Sequence, residues 1–149
     1  MYWVRRNRLG GSHLPSHLEE IRDWKRKGVE KVLILAEDWE IEETWGDSNY
    51  YFQQLKNEGL NFLHVPIPDG QPPSMGDLDK IMNWLKDGTN VVHCVAGKGR
   101  TGTVLAAYLI MNEGLSPDQA VDEVRRYQSG AIATMQQLIF LYELRKIED

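Results

Sequence analysis

The chain has 149 residues, enough for one compact domain spanning 1–149 and too few for two with separate cores. Its 17 Lys and Arg against 22 Asp and Glu leave a net charge of −5, which speaks against a surface built wholesale to bind nucleic acid. The composition, 42% hydrophobic and 26% charged, is globular; no apolar run reaches the ~18 residues of a membrane span, and no apolar signal region opens the chain, so a cytoplasmic protein without a membrane partner is expected.

In chain order, Ser16-x-x-Glu19 reads as a capping box opening a first helix with apolar Leu18, Ile21 and Trp24, and Gly28 stands where it should stop. Residues 32–35, 62–65 and 91–95 are short runs rich in branched apolar residues, the pattern of strands buried on both faces in a parallel sheet. Leu78, Ile81, Met82 and Leu85 form one stripe of an amphipathic helix between the last two strands. Residues 101–113 are apolar nearly all round, so that helix should be central and buried. Ser116-Pro117-Asp118-Gln119 and Thr134-x-x-Gln137 open two more helices. Residues 37–47, 66–73 and 128–133 read as loops. The expected fold is α/β: a single domain with a central, mostly parallel sheet of about four to five strands flanked by helices, and an all-helical C-terminal part.

Chemistry concentrates in residues 91–102, Val-Val-His-Cys-Val-Ala-Gly-Lys-Gly-Arg-Thr-Gly, where a buried strand becomes a glycine-rich turn and then a buried helix. Three readings are open. In the first, the glycines merely make a tight turn, and Cys94, the single cysteine, is a small buried hydrophobe. In the second, Gly97-x-Gly99-x-x-Gly102 is a dinucleotide fingerprint; residues 103–128 hold no strand, however, and so cannot end one on the acidic residue that motif requires. The third uses every residue. Small residues at 96, 97 and 99 let backbone N–H groups close around a tetrahedral dianion at a helix N-terminus, Arg100 adds a planar fork, and the same field favours a nucleophilic Cys94 thiolate. A lone cysteine can build neither an internal disulfide nor a thiolate metal cage, and no cofactor or metal is expected.

The string His-Cys-x5-Arg-Thr-Gly, residues 93–102, resembles the phosphate loop of the protein tyrosine phosphatase superfamily. With Gly10-Gly11-Ser12 and Ile67-Pro68-Asp69-Gly70, the chain is similar to its small dual-specificity branch, and to compact archaeal members, over almost its whole length. The resemblance implies a phosphocysteine mechanism: Cys94 attacks phosphorus, and Val95, Ala96, Gly97, Lys98, Gly99 and Arg100 bind the phosphate. Thr101 assists departure of the thiolate, and Asp69, 25 residues before the cysteine, serves as acid and then base. A Pro-Asp-Gly turn alone would leave Asp69 a turn residue. His93 is implied to set the thiol's ionisation, Glu37 or Glu40 to pair with Arg100, and Gln137 to contact the hydrolytic water, although Gln137 also completes a capping box. Lys98 either points to solvent or, facing the substrate, adds charge for anionic ligands; a lysine here also occurs in phosphoinositide phosphatases of the superfamily.

Two departures from the family pattern stand out: Ala133 replaces a common glutamine, and Gln128-Ser129 replaces Arg-Pro, leaving a loop expected to be less basic and more mobile. Arg125 and Arg126 read as surface charges. The acid-first, cysteine-late order differs from that of the low-molecular-weight phosphatases. The implied substrate is a phosphotyrosine protein or peptide, with phosphoserine and phosphothreonine within reach. Phosphate, sulfate or vanadate would occupy the same turn, and a monomer is expected. The competing functions are a phosphate-binding module without turnover and a phosphoinositide phosphatase.

Overall fold

Parallel pairing of the predicted strands builds the centre of the computed structural model, which describes residues 1–148. Strand β3 (Lys31–Ile34) lies between β4 (Asn61–His64) and β5 (Asn90–His93), with both pairings parallel. The N-terminal residues add a hairpin of β1 (Tyr2–Arg5) and β2 (Leu9–Ser12); β2 joins β5 in parallel, and the sheet order is β1-β2-β5-β3-β4. Alternation of side chains along β3 separates two cores, as the strand period of two requires. Val32 and Ile34 pack toward α1 (Leu18–Arg26), α2 (Asp38–Trp45) and α3 (Ser48–Asn57). Leu33 packs toward α4 (Met75–Leu85), α5 (Gly99–Glu113), α6 (Pro117–Tyr127) and α7 (Met135–Glu148). As its all-round apolar sequence dictates, α5 is buried from Arg100 to Ile110.

Three local expectations change. The capping box proposed for Ser16 and Glu19 is not formed: α1 starts after His17 without a side-chain cap, Ser16 bonds Glu20 instead, and Glu19 reaches Arg26. Residues 37–47 are not a loop but mainly α2, closed by a capping box between Glu37 and Glu40, and α3 follows. The strand read as 91–95 ends at His93, so Cys94 already belongs to the turn. Arg125 lies at the surface, as read, and it also donates to the carbonyls of Ala131 and Ile132 and ties down the 128–133 loop. The boxes opening α6 and α7 form as written, with Ser116 and Gln119 exchanging bonds in one and Thr134 and Gln137 in the other. Among the described residues, no helix is long and apolar enough to cross a membrane.

Candidate active site

Strand β5 is flanked by β2 and β3 and fully buried, so the turn leaving it is anchored in the interior of the sheet. The carbonyls of Cys94, Val95, Gly97 and Lys98 are all engaged. His93 Nδ1 donates to the Cys94 carbonyl at 2.9 Å, Leu14 N–H to Val95 at 2.9 Å, and the Tyr2 hydroxyl to Gly97 at 2.9 Å. The Lys98 carbonyl accepts from Gly102 at 2.9 Å and from Ile132 at 3.3 Å. Each trans peptide sends the next N–H the opposite way. The N–H groups of Val95, Ala96, Gly97 and Lys98 have no acceptor among the described residues, which leaves a row of donors fit for an anion. Gly97 is required here: its φ is +74°, and a Cβ would lie 2.5 Å from the backbone of Ser12. Ile132, which braces the turn, sits at φ +59°, a strained value for a branched residue that its surroundings must enforce.

Cys94 is almost fully buried at the start of this turn, and the Thr101 hydroxyl donates to its sulfur at 3.1 Å. Arg100, 3% exposed, is clamped by Glu40, with Nη1 donating at 2.7 Å and Nη2 at 2.9 Å. Nη1 also donates to the Ile67 carbonyl at 2.8 Å. Its Nε has no partner among the described residues, so the edge carrying Nε and Nη2 remains to grip two oxygens of a ligand. Burial pushes the Glu40 carboxyl up, but the Arg100 bonds, the Glu37 N–H and the Arg100 charge outweigh it and hold Glu40 below the usual carboxylate range. The sequence offered Glu37 or Glu40 as partner. Glu40 takes the part, while Glu37 caps α2 and accepts from the Trp39 indole.

His93 is fully buried, and burial lowers its pKa to about 4, so the ring is neutral. Because the Cys94 carbonyl can only accept, Nδ1 carries the proton and Nε2 accepts from the Tyr51 hydroxyl at 2.8 Å. The ring therefore fixes the Cys94 peptide. Gln137, also fully buried, accepts at Oε1 from the N–H groups of Ala133 and Thr134 at 2.8 and 3.1 Å, and its amide lies beside Gly99. The exposed Lys98 side chain runs along Gly130. Asp69 is 82% exposed, with Oδ1 3.7 Å from Arg100 Nη2. Cys94, Arg100, Thr101, Glu40 and Asp69 thus converge on one end of the sheet. Tyr2, Tyr51 and Thr134 also support the site; nothing in the spacing of the sequence singles out the two tyrosines, and it marks Thr134 only as a helix cap. No cluster of His, Cys, Asp and Glu suited to a metal occurs among the described residues.

Comparison with known proteins agrees with this geometry. A family model described as a Swiss Army Knife protein, DSP-PTPase phosphatase domain, matches residues 1–147. A cyclin-dependent kinase inhibitor 3 from Rattus norvegicus is 30% identical over 138 residues, which are 85% of this chain and 62% of the relative. Protein tyrosine phosphatase type IVA 2 from Mus musculus is 33% identical over 106 residues, 66% of this chain and 62% of its own. The chain therefore spans under two thirds of the length of these curated relatives. The crystal structure of Tk-PTP in the active form superposes with a TM-score of 0.84 at 32% identity, covering 97% of this chain and 95% of that one. With a family match running through the cysteine turn, the Glu40 clamp and the helices behind them, the chain belongs to the DSP-PTPase phosphatase domain family.

Proposed function

We propose that the protein hydrolyses phosphomonoesters, phosphotyrosine foremost, through a phosphocysteine intermediate and without a metal ion. The observation that carries this reading is the buried sulfur of Cys94 at the mouth of a turn whose N–H groups are unpaired, with the free edge of Arg100 beside it. The loop N–H groups and Arg100 bind the non-bridging oxygens and oppose the charge of the transferring group. Sulfur forms a bond to phosphorus while the ester oxygen leaves and takes the proton of Asp69. Water then attacks phosphorus and gives its proton to Asp69, the S–P bond breaks, and the Thr101 hydroxyl donates to the departing thiolate. Gln137, beside Gly99, is suited to orient that water.

Several features support an aryl phosphate. A phenolate leaves more easily than an alkoxide, one of the similar proteins bears a tyrosine phosphatase name, and Trp39, the neighbour of Glu40 in α2, is exposed. Phosphoserine and phosphothreonine peptides are the secondary substrates. Phosphate, sulfate and vanadate would compete for the same turn.

The test is phosphate release from p-nitrophenyl phosphate across pH with EDTA present, for the parent, Cys94→Ser and Asp69→Asn. The parent is expected to turn over, Cys94→Ser to be inactive, and Asp69→Asn to lose the limb of the pH profile that reports the acid. A parent that binds vanadate yet releases nothing would make the site a phosphate-binding module.

A further inference from the structure

The segment carrying Asp69 has little to hold itself in place. Pro66, Pro68, Pro72 and Pro73 contribute no N–H, and the one bond within the segment closes a tight turn from Gln71 N–H to the Pro68 carbonyl at 3.1 Å. Asp69 and Gly70 are the two central residues of that turn, and Gly70 has φ +82°, the value its second central position needs. Upstream of Asp69 the segment is fixed twice at Ile67, whose N–H donates to Leu35 at 2.9 Å and whose carbonyl accepts from Arg100 at 2.8 Å. Downstream, one short bond does the equivalent: the Thr134 hydroxyl donates to the Gly70 carbonyl at 2.7 Å, across 64 residues of sequence. Gln137 Nε2 reaches the Gln71 carbonyl only at 3.5 Å.

Thr134 is itself immobilised. It is the N-cap of α7, its oxygen accepts from Gln137 N–H at 3.2 Å, and its N–H donates to Gln137 Oε1 at 3.1 Å. With the cap bond taking a lone pair, the hydroxyl proton is left for Gly70. Its methyl group also packs against Gly70, where a Cβ would sit 3.5 Å from Cγ2.

We propose that Thr134 is a positioning residue that latches the Asp69 turn over the cysteine turn, and this rests on the reading of Asp69 as the general acid. The latch joins two steps. The helix cap that fixes Gln137 near Gly99 also fixes the residue beside Asp69, so the acid and the water site are set by one hydroxyl.

A latch of this kind makes a specific kinetic demand. Asp69 matters most when the leaving oxygen is a poor leaving group, so loosening it should cost more with phenyl phosphate than with p-nitrophenyl phosphate. The experiment compares kcat/KM on these two substrates for the parent, Thr134→Val, Thr134→Ser, Thr134→Asp and Asp69→Asn, with thermal unfolding of each. Thr134→Val, lacking both the cap and the donor, is expected to lower the phenyl to p-nitrophenyl ratio about three- to tenfold, the worth of one hydrogen bond. Thr134→Ser, which keeps both, should retain the parent ratio. Thr134→Asp can still cap the helix but cannot donate. It too should lower the ratio even if Thr134→Val does not fold.

An unchanged ratio in Thr134→Val or Thr134→Asp, alongside a lowered ratio in Asp69→Asn, overturns the latch and leaves the acid in place. An unchanged ratio in Asp69→Asn overturns the acid and the latch together. A parent inactive on both substrates overturns the phosphatase reading itself.

Discussion

Arg100 and Glu40 form a doubly hydrogen-bonded pair whose side chains are 2% and 8% exposed, so neither charge has water to fall back on. Removing one partner strands the other, and Glu40→Ala is expected to destabilise the fold by ~3–5 kcal/mol and to weaken vanadate binding, as followed by urea unfolding and inhibition assays. Glu40 is held below its ordinary range, so the stability it contributes is present above the unfolded carboxylate value and is lost as pH falls through the lower folded one. His93 acts in the same direction at higher pH. Its pKa is about 4 in the fold, against the ordinary value of about 6.5 when unfolded. Between the two the unfolded chain binds a proton that the folded chain does not, so stability drops by about 3 kcal/mol as pH falls from 6.5 to 4. Tyr51→Phe leaves His93 Nε2 a buried acceptor without a donor and should cost ~1–3 kcal/mol at neutral pH. Unfolding midpoints recorded from pH 4 to 8 check both statements.

At the level of elements, the strand, turn and helix from β5 to α5 were legible because everything that defines them is local. Twelve consecutive residues hold the thiol, the glycines, the fork and the apolar helix. Helices α2 and α3 were not legible as such. α2 is short and buries only Glu40 and Ile41, so it leaves no apolar stripe, and its capping box is made by two glutamates instead of the usual hydroxyl and carboxylate. The hairpin of β1 and β2 escaped for a similar reason: both strands are only four residues long, and β2, with two central glycines, carries no alternation to read. Yet β1 reaches the site, because Tyr2 bonds a carbonyl 95 residues away. Tyr2→Phe should free the peptide after Gly97 to rotate and lower vanadate affinity several-fold while the unfolding temperature stays near the parent's. Isothermal titration beside calorimetry separates the two; equal affinity would reduce Tyr2 to packing.

Across the whole molecule the site is assembled by long-range ties that periodicity cannot carry. Arg100 finds Glu40 60 residues away, His93 finds Tyr51 at 42, and Thr134 finds Gly70 at 64. The motif therefore pointed to the cysteine and the arginine, and narrowed the partner glutamate to two, but the supports around them needed the fold. A chain of net charge −5 nonetheless gathers its binding potential at one end of the sheet, from unpaired N–H groups and a single guanidinium. The central claim is covalent, and so is its most direct test. Mixing Asp69→Asn with p-nitrophenyl phosphate, whose leaving group needs little help from an acid, should form the phosphocysteine quickly and hydrolyse it slowly. After an acid quench, peptide mass spectrometry is then expected to find one added phosphoryl group on the peptide containing Cys94, and none in Cys94→Ser. Steady release of p-nitrophenol with no phosphoryl group on Cys94, or with one on another residue, would contradict the account.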